Sequence, residues 1–438
     1  MPDEVTMQPL AERFEEAAPL FAGAGLPWLK ALRQTGLERY NTLGLPTPRV
    51  EAWKYTNLRS LARAGFKPAV LAPDVSLDTV PQARALVLAA PVAVLVNGKF
   101  RADLSRLDDL PEGIEVAGFA DMLESDPAAI ERLLEETGDD TPMRALNAAF
   151  MADGLVVRIA AGAKADRPVH LISVGAAADA PLAFHPRNLI HAGEDSRAIL
   201  VESHVGAGGV YLGNSVTDAV VGPGAVLDHI KLQNEDRASY HLALTGVALA
   251  EGSTYRNFTL SAGARLARNE IHATLEGGGI ECRLDGAYMA RGSQHLDTTT
   301  FIDHAKPGSE SRETYKGVLD GQSRGVFQGK ILVRRDAQKT DGHQLNKALL
   351  LSPEAEIDTK PELEIYADDV KCSHGATAGE IDEEQMFYLQ ARGIDREDAR
   401  DLLVAAFLEE AIETIAVAEA RDAMRQVVAM WLTEGKTP

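Results

Sequence analysis

Two side chains near the C-terminus have the types and spacing of metal ligands. Cys372 and His374 are separated by one residue. If residues 370–375 form a strand, both side chains lie on one face, roughly 7 Å apart at about 3.3 Å per residue. A thiolate and an imidazole so placed could bind one iron or zinc ion. Two ligands do not close a metal site, so the others would come from elsewhere in the chain or from a partner. A purely structural strand has the same spacing, and both interpretations stay open.

The other cysteine has a different pattern around it. Cys282 alternates with charged residues between Ile280 and Leu284, and this strand period predicts a small, inward-facing core residue. Two cysteines exclude a disulfide framework. All 11 histidines fall between His170 and His374. The simplest interpretation places them on solvated strand faces.

Enzyme motifs are largely missing. The chain has no GxxxxGK[ST] phosphate loop, no HExxH and no paired CxxC, so we expect no ATP hydrolysis by the chain itself. Residues 321–325 match the GxSxG nucleophile elbow, which needs a strand before it and a helix after it. Strand-like residues follow instead, at 326–333, which favours a turn.

Composition and charge exclude several classes of function. The 438 residues include 65 acidic and 44 basic side chains, for a net charge of −21, which repels phosphate backbones and excludes nucleic acid as a partner. No apolar run is long enough to cross a bilayer, and the N-terminus carries two acidic residues, Asp3 and Glu4, where a secretory signal carries positive charge. We therefore expect a cytoplasmic protein without a membrane partner.

Residues 1–153 are predicted to form an N-terminal helical and mixed region. Apolar spacing predicts a helix through Trp28 and Leu37 that stops at Gly44. A strand at 92–96 should end in a tight turn at Asn97-Gly98. Short helices are expected at 128–136 and 142–151.

Residues 154–378 are predicted to be a β-solenoid core. Strand-like runs alternate with glycines, and the clearest runs are 198–204, 226–230, 241–249 and 271–275. Two glycine series recur with gaps of 27 to 29 residues: Gly224, Gly252, Gly279 and Gly308, and, offset from these, Gly263, Gly292 and Gly321. Two interleaved series of one period predict a stacked coil with two corners per turn.

Residues 379–438 are predicted to be a C-terminal helical region. Asp382 should cap a helix that runs to Arg392, and a second helix should begin near Asp395. Its apolar positions should share one buried face: Leu402, Leu403, Ala406, Phe407, Ala411 and Ile412.

Long segments of the chain resemble the SufB/SufD family of the SUF iron–sulfur cluster assembly system. The resemblance covers about residues 10–420 and rests on segments 49–58, 327–331, 337–340, 346–352 and 360–377. The amino-acid sequence of the last segment is most similar to the SufD branch. SufB typically carries further N-terminal cysteines, which are missing before Cys282. A SufB-like paralogue is the nearest alternative.

The resemblance implies a mostly β protein: a right-handed parallel β-helix flanked by helical terminal regions. It implies a non-catalytic scaffold subunit that pairs with SufB through the β-helices and binds the SufC ATPase through its C-terminal helices. A transient iron or Fe–S cluster would form at the SufB interface, where the family links the position of His374 to cluster formation and Cys372 is its neighbour. No cofactor would bind tightly to the isolated chain, which could form a homodimer.

Two alternatives belong to other classes. A β-helical polysaccharide lyase or hydrolase would use paired acids such as Asp297 and Asp303. A purely structural solenoid would have no metal or cluster role.

Overall fold

The chain folds into a β-solenoid of about eight turns, with helices at both ends of the chain. A computed structural model describes residues 8–80, 89–135 and 141–434. The predicted mostly β architecture with flanking helices is confirmed, while the handedness of the coil stays a prediction.

Two long sheets form the walls of the solenoid. Sheet A contains β1 (Lys67–Pro68), β4 (Ile114–Gly118), β5 (Leu155–Ile159), β7 (Leu182–Phe184), β8 (Arg187–Ala192), β10 (Tyr211–Val221), β12 (Tyr240–Leu249), β14 (Leu266–Leu275), β16 (His295–His304), β18 (Arg324–Val333) and β20 (Glu356–Ile365). Sheet B contains β2 (Val92–Val96), β3 (Lys99–Phe100), β6 (Val169–Ala176), β9 (Arg197–Ala207), β11 (Val226–Asn234), β13 (Thr254–Ser261), β15 (Glu281–Ala290), β17 (Glu310–Leu319), β19 (Asp341–Leu350) and β21 (Lys371–Gly379).

From β8 onward the chain alternates between the sheets, and each strand pairs in parallel with the strand one turn earlier. Inward-facing side chains of the two sheets meet in a continuous core, which includes Leu227, Tyr255, Leu284, Leu319 and Phe327. Successive side chains along each strand point to opposite faces of the sheet, so one residue of each neighbouring pair is buried inside the coil.

The two glycine series lie at the two corners of the coil, as predicted. Gly224, Gly252, Gly279 and Gly308 turn the chain from sheet A to sheet B, and all four have positive φ angles between 63° and 76°. At the opposite corner Gly292 and Gly321 also have positive φ. Gly263 has no such angle, but a Cβ there would lie 2.1 Å from the backbone nitrogen of Glu235. Close packing between turns therefore requires glycine at that position.

The N-terminal helices cover the outer face of sheet A. They are α1 (Gln8–Ala11), α2 (Phe14–Ala17), α3 (Pro27–Leu43), α4 (Arg59–Ala62), α5 (Phe119–Ser125), α6 (Pro127–Glu135) and α7 (Pro142–Phe150), with 3₁₀ turns at Ala18–Leu20, Glu51–Trp53, Leu77–Thr79 and Ala102–Leu104. Leu37 and Phe150 pack in one cluster with Leu212 and Leu242 of the sheet. The predicted helix stop at Gly44 and the tight turn between β2 and β3 are both confirmed.

The N-terminal segment 49–58 docks directly on sheet A. The buried Trp53 ring lies 4.1 Å from the guanidinium carbon of Arg268. The Thr56 hydroxyl donates to the carboxylate of Asp297 and lies 2.8 Å from Nε2 of His295. The segment thus holds the N-terminal region on the solenoid.

The C-terminal helices cover the outer face of sheet B. They are α8 (Glu383–Ala391), α9 (Arg396–Ile412) and α10 (Ala418–Glu434). The predicted cap at Asp382 is confirmed, and so is the predicted helix start near Asp395, which the structure shows to be the N-cap of α9. Val404 and Leu408 pack with Ile230 and Phe258 of the sheet and with Met424 of α10.

The predicted buried face of α9 was partly wrong. Leu402 and Ala406 are exposed, whereas Val404 and Leu408 are buried. Apolar residues occupy every position from 402 to 408, so the sequence permits two faces. Contact with sheet B determines which of the two faces is buried, and the spacing of apolar residues alone does not. None of the helices in the described ranges is both long and apolar enough to cross a bilayer.

Candidate functional site

The solenoid has an open end, formed by β20 and β21. These are the last strands of sheets A and B, and each pairs with one neighbour only, β18 and β19, in the described part of the chain. An unpaired strand edge presents free N–H and C=O groups that another chain can bind.

The register shows which backbone groups point outward. Lys371 donates its N–H to the carbonyl of Thr340, on the β19 side. The backbone N–H groups of every second residue from 371 therefore point toward β19. The backbone N–H groups of Cys372, His374 and Ala376 point away from β19, to the open side. On β20, Glu356 and Tyr366 donate toward β18, which places the nitrogen of Pro361 on the open side. Because proline has no N–H, the edge of β20 is interrupted at its middle and the edge of β21 is not.

The structure brings Cys372 and His374 to the same face of β21. Their ladder partners on β19 are Gly342 and Gln344, which are buried in the solenoid. Both side chains therefore face the interior of the coil at its open end. Cys372 is half-buried against the core, and a Cβ at Gly342 would lie 3.6 Å from its sulfur. His374 is exposed.

The two side chains differ in their readiness to bind a cation. Burial raises the pKa of the Cys372 thiol, so the thiol keeps its proton near neutral pH and releases it only to a bound cation or a base. The His374 imidazole has no hydrogen-bond partner within residues 8–80, 89–135 and 141–434. It is free to bind a ligand or carry a proton.

A buried carboxylic acid lies behind His374. Glu313 and Gln344 occupy the same ladder column as His374, on β17 and β19. Burial raises the pKa of Glu313 to about 7, although the nearby Thr300 hydroxyl and Gln344 amide oppose this. Neither carboxyl oxygen makes a hydrogen bond of good geometry in the described chain. Sequence reasoning missed Glu313, because its position behind His374 depends on a register between strands about 30 residues apart.

Cys282 is a core residue, as predicted. It is fully buried, and burial raises its thiol pKa far above the usual value. The register adds that Cys282, Ser311, Gly342 and Cys372 form one ladder column. The two cysteines are thus three strand spacings apart, about 14 Å at about 4.8 Å each.

The other candidate motifs are structural. Ser323 of the GxSxG match is buried at a corner, donates to the carbonyl of Ala290 and is followed by β18. Asp297 is paired with Arg268, and Asp303 with Arg334. The two aspartates are six residues apart on one strand, about 20 Å, whereas glycosidase acid pairs lie within roughly 10 Å. Asp297 and Asp303 are therefore too far apart to act as the acid pair of the polysaccharide-enzyme alternative.

The expectation of solvated histidines was wrong for six of the 11. The buried ones are His170, His185, His204, His229, His241 and His304. Several pair with a buried carboxylate or hydroxyl, as His204 does with Glu202.

Two family models match this chain. The model described as "SUF system FeS cluster assembly, SufBD core domain" matches residues 174–407, and the one described as "SufBD protein N-terminal region" matches residues 5–171. The chain belongs to the SufBD family. SufBD proteins take part in iron–sulfur cluster assembly, and the predicted resemblance is confirmed.

Relatives match over most of their length. The iron–sulfur cluster assembly SufBD family protein slr0076 of Synechocystis sp. is 32% identical over 414 residues, which cover 90% of this chain and 89% of the relative. The iron–sulfur cluster assembly protein SufD of Escherichia coli is 32% identical over 389 residues, covering 87% and 88%. Protein ABCI7, chloroplastic, of Arabidopsis thaliana is 30% identical over 431 residues, covering 96% and 89%.

The SufBD-like segments cluster at the open end of the coil. Segment 327–331 lies in β18, 346–352 begins in β19, and 360–377 runs from β20 into β21. The segment with the longest resemblance therefore forms the unpaired edges and carries Cys372 and His374.

Proposed function

We propose that this chain is a non-catalytic scaffold subunit of an iron–sulfur cluster assembly complex, which pairs with SufB and binds the SufC ATPase. The observation that carries this proposal is the placement of Cys372 and His374 on an unpaired edge strand at the open end of the solenoid. SufBD family membership and the relative named SufD support it.

SufB would pair with the edge of β21. Strand addition uses the free backbone groups for affinity and neighbouring side chains for specificity. The last turn supplies such side chains: Ile357 and Leu363 pack partly on the core, and Ile365 and Tyr366 are exposed. Pro361 protects β20 from the same pairing, which leaves β21 as the binding strand.

Cys372 and His374 would supply part of the ligand set for the nascent cluster, which is the cargo of the complex. Thiolate and imidazole both suit iron, and SufB would contribute the remaining ligands. Two ligands are too few to retain a cluster, so the isolated chain would not hold one tightly. The exposed His374 imidazole could also pass protons between sulfide and solvent.

Glu313 would act as a proton reservoir behind His374. The two residues are two strand spacings apart, roughly 10 Å, with Gln344 between them. A carboxylic acid with a pKa of about 7 exchanges protons near neutral pH, where hydrogen sulfide also changes protonation.

SufC would bind the exposed side of α8 and α9. Phe387 is 73% exposed, Tyr388 58% and Leu402 51%, although all three are large apolar or aromatic side chains. Sheet B already occupies the opposite face of α9 through Val404 and Leu408. Exposed aromatic groups on a helix that is otherwise packed are typical of a protein interface.

The same strand edge would allow a homodimer when the chain is alone. We propose a cytoplasmic location, where SufB, SufC and reduced thiols are available. With a net charge of −21, nucleic acid is not a partner.

Co-expression with SufB and SufC tests the proposal. We expect a complex of all three subunits that contains iron and acid-labile sulfide, measured by native mass spectrometry and chemical analysis. ATP hydrolysis should disappear when SufC alone is inactivated. A chain that purifies without both partners, or a complex that never contains cluster under anaerobic expression, would contradict the proposal.

A further inference from the structure

A second group of metal-binding side chains lies inside the solenoid. His204 on β9, Glu235 after β11 and His241 on β12 each place one potential ligand atom within 4.8 Å of the other two, and all three side chains are buried. We call this group the interior triad. In sheet B, β9 is six strands from β21, roughly 29 Å at about 4.8 Å per strand. The interior triad is therefore separate from Cys372 and His374.

The contacts within the interior triad leave polar atoms without partners. Glu235 Oε2 lies 3.0 Å from Nδ1 of His241, but in a direction that does not suit a hydrogen bond. Neither ring nitrogen of His241 has a hydrogen-bond partner in the described chain, although the residue is 1% exposed. The rings of His204 and His241 meet edge to face, with centroids 4.7 Å apart. A buried imidazole without a well-aligned hydrogen bond is costly, and an ion among the three side chains would remove that cost.

The surrounding side chains support the interior triad as they do in metal sites. Nε2 of His204 lies 2.7 Å from one oxygen of Glu202, whose other oxygen lies 3.0 Å from His229. A carboxylate at one ring nitrogen fixes the tautomer and leaves the other nitrogen for a metal. Gln233 donates to Glu235 at 2.9 Å and so orients the third ligand.

Buried charged groups lie around the interior triad. The Lys231 side chain is buried and interacts with the carboxylates of both Glu202 and Glu235.

We propose that the interior triad binds one divalent first-row transition-metal ion, with His204, Glu235 and His241 as ligands. Two imidazoles and one carboxylate form a donor set that suits Fe²⁺ and Zn²⁺ and leaves positions for water. The ligands come from β9, the corner after β11, and β12, so the ion would join sheet B to sheet A. This site is independent of the proposed assembly function.

Metal uptake by the full chain tests the proposal. A Cys372→Ala/His374→Ala background removes the open-end pair as a source of binding. This chain is expressed in medium supplemented with iron or zinc, and separately stripped with chelator and titrated with Zn²⁺, Fe²⁺ and Co²⁺. Bound metal is measured after desalting. We expect about one ion per chain by either route, released reversibly by chelator.

Variants in the same background test the ligands. His241→Gln and Glu235→Gln should abolish stoichiometric binding, and Glu202→Gln should weaken it roughly 10- to 100-fold. His170→Gln is the control, because His170 is also 1% exposed and lies 2.7 Å from its partner Ser203, outside the interior triad. It should bind like the background chain.

Two results would overturn the proposal: no stoichiometric ion in the folded background chain by either route, or unchanged affinity in folded His241→Gln. If the variants do not fold, the visible spectrum of the Co²⁺-loaded background chain decides. Bands of a four- or five-coordinate ion with imidazole ligands support the site, and the spectrum of aqueous Co²⁺ excludes it.

Discussion

Cys372 and His374 share a strand face but are held differently. Cys372 packs against the core with a raised thiol pKa, whereas His374 is exposed and has no hydrogen-bond partner in the described ranges. Removing the imidazole therefore disturbs little packing, and its effect reports chemistry rather than stability.

We expect His374→Ala to assemble with SufB and SufC but to lower the iron content of the complex roughly tenfold or more. Its stability should change by less than about 0.5 kcal/mol, as for an exposed residue. Cys372→Ala should give a weaker form of the same defect. Iron, sulfide and visible absorbance of the purified complexes provide the measurement.

Cys282→Ala is the matched control for this experiment. Cys282 lies in the same ladder column as Cys372 but is fully buried. Its loss should reduce stability and leave the cluster intact. Wild-type iron content in His374→Ala would refute the role of His374 in cluster formation. A cluster loss in Cys282→Ala equal to that in Cys372→Ala would show that the two cysteines do not differ in function despite their different positions in the coil.

Glu313 predicts a pH dependence of stability. Its folded pKa of about 7 lies above the unfolded value near 4.5, so the folded state binds more protons between these pH values. Stability contributed by the neutral acid is present below about pH 4.5 and is lost as pH rises through about 7.

Glu313→Gln should remove this dependence. Relative to wild type, the variant should gain on the order of 3 kcal/mol in unfolding free energy between pH 5 and pH 8. Urea unfolding at both pH values measures the difference. Exposed Glu310→Gln, on the same strand, is the control. A constant difference between wild type and Glu313→Gln across this range would contradict the raised pKa.

At the scale of elements, the sequence predicts the turns, helix ends and caps that depend on one or a few neighbouring residues. The corner glycines, the stop at Gly44 and the cap at Asp382 all follow from backbone geometry that few residues permit. The shared face of Cys372 and His374 was expected only on the condition that residues 370–375 form a strand, and β21 meets that condition.

What the sequence leaves open depends on packing between distant segments. Contact with sheet B determines which face of α9 is buried, because every position from 402 to 408 is apolar. Glu313 behind His374, and the interior triad, depend on the register of strands one or more turns apart. Neither composition nor periodicity predicts how these strands are aligned with one another.

The exposed side of α8 and α9 yields a prediction about SufC. Phe387→Asp and Leu402→Asp should each weaken SufC binding at least roughly tenfold, because each places a charge at an apolar interface. Binding is measured by surface plasmon resonance with purified SufC. Leu71→Asp is the control, since Leu71 is 79% exposed in the N-terminal region. Unchanged SufC affinity in both C-terminal variants would move the interface elsewhere.

At the scale of the whole molecule, three sides of the solenoid are covered and one is open. N-terminal helices cover sheet A, C-terminal helices cover sheet B, and the antiparallel pairs β2–β3 and β4–β5 lie at the first turn. The last turn ends in two strand edges, of which Pro361 interrupts one. The central claim is that the free edge of β21 binds SufB and places Cys372 and His374 at the shared surface.

The most direct test is a proline on that edge. Ala376 points its N–H to the open side, so Ala376→Pro removes a donor for SufB and leaves the pairing with β19 intact. Thr359→Pro is the matched control on β20, whose open edge Pro361 already interrupts. Native mass spectrometry of chains co-expressed with SufB and SufC measures assembly. We predict that Ala376→Pro loses SufB but keeps SufC, whereas Thr359→Pro retains both. A folded Ala376→Pro chain that binds SufB like wild type would contradict the account.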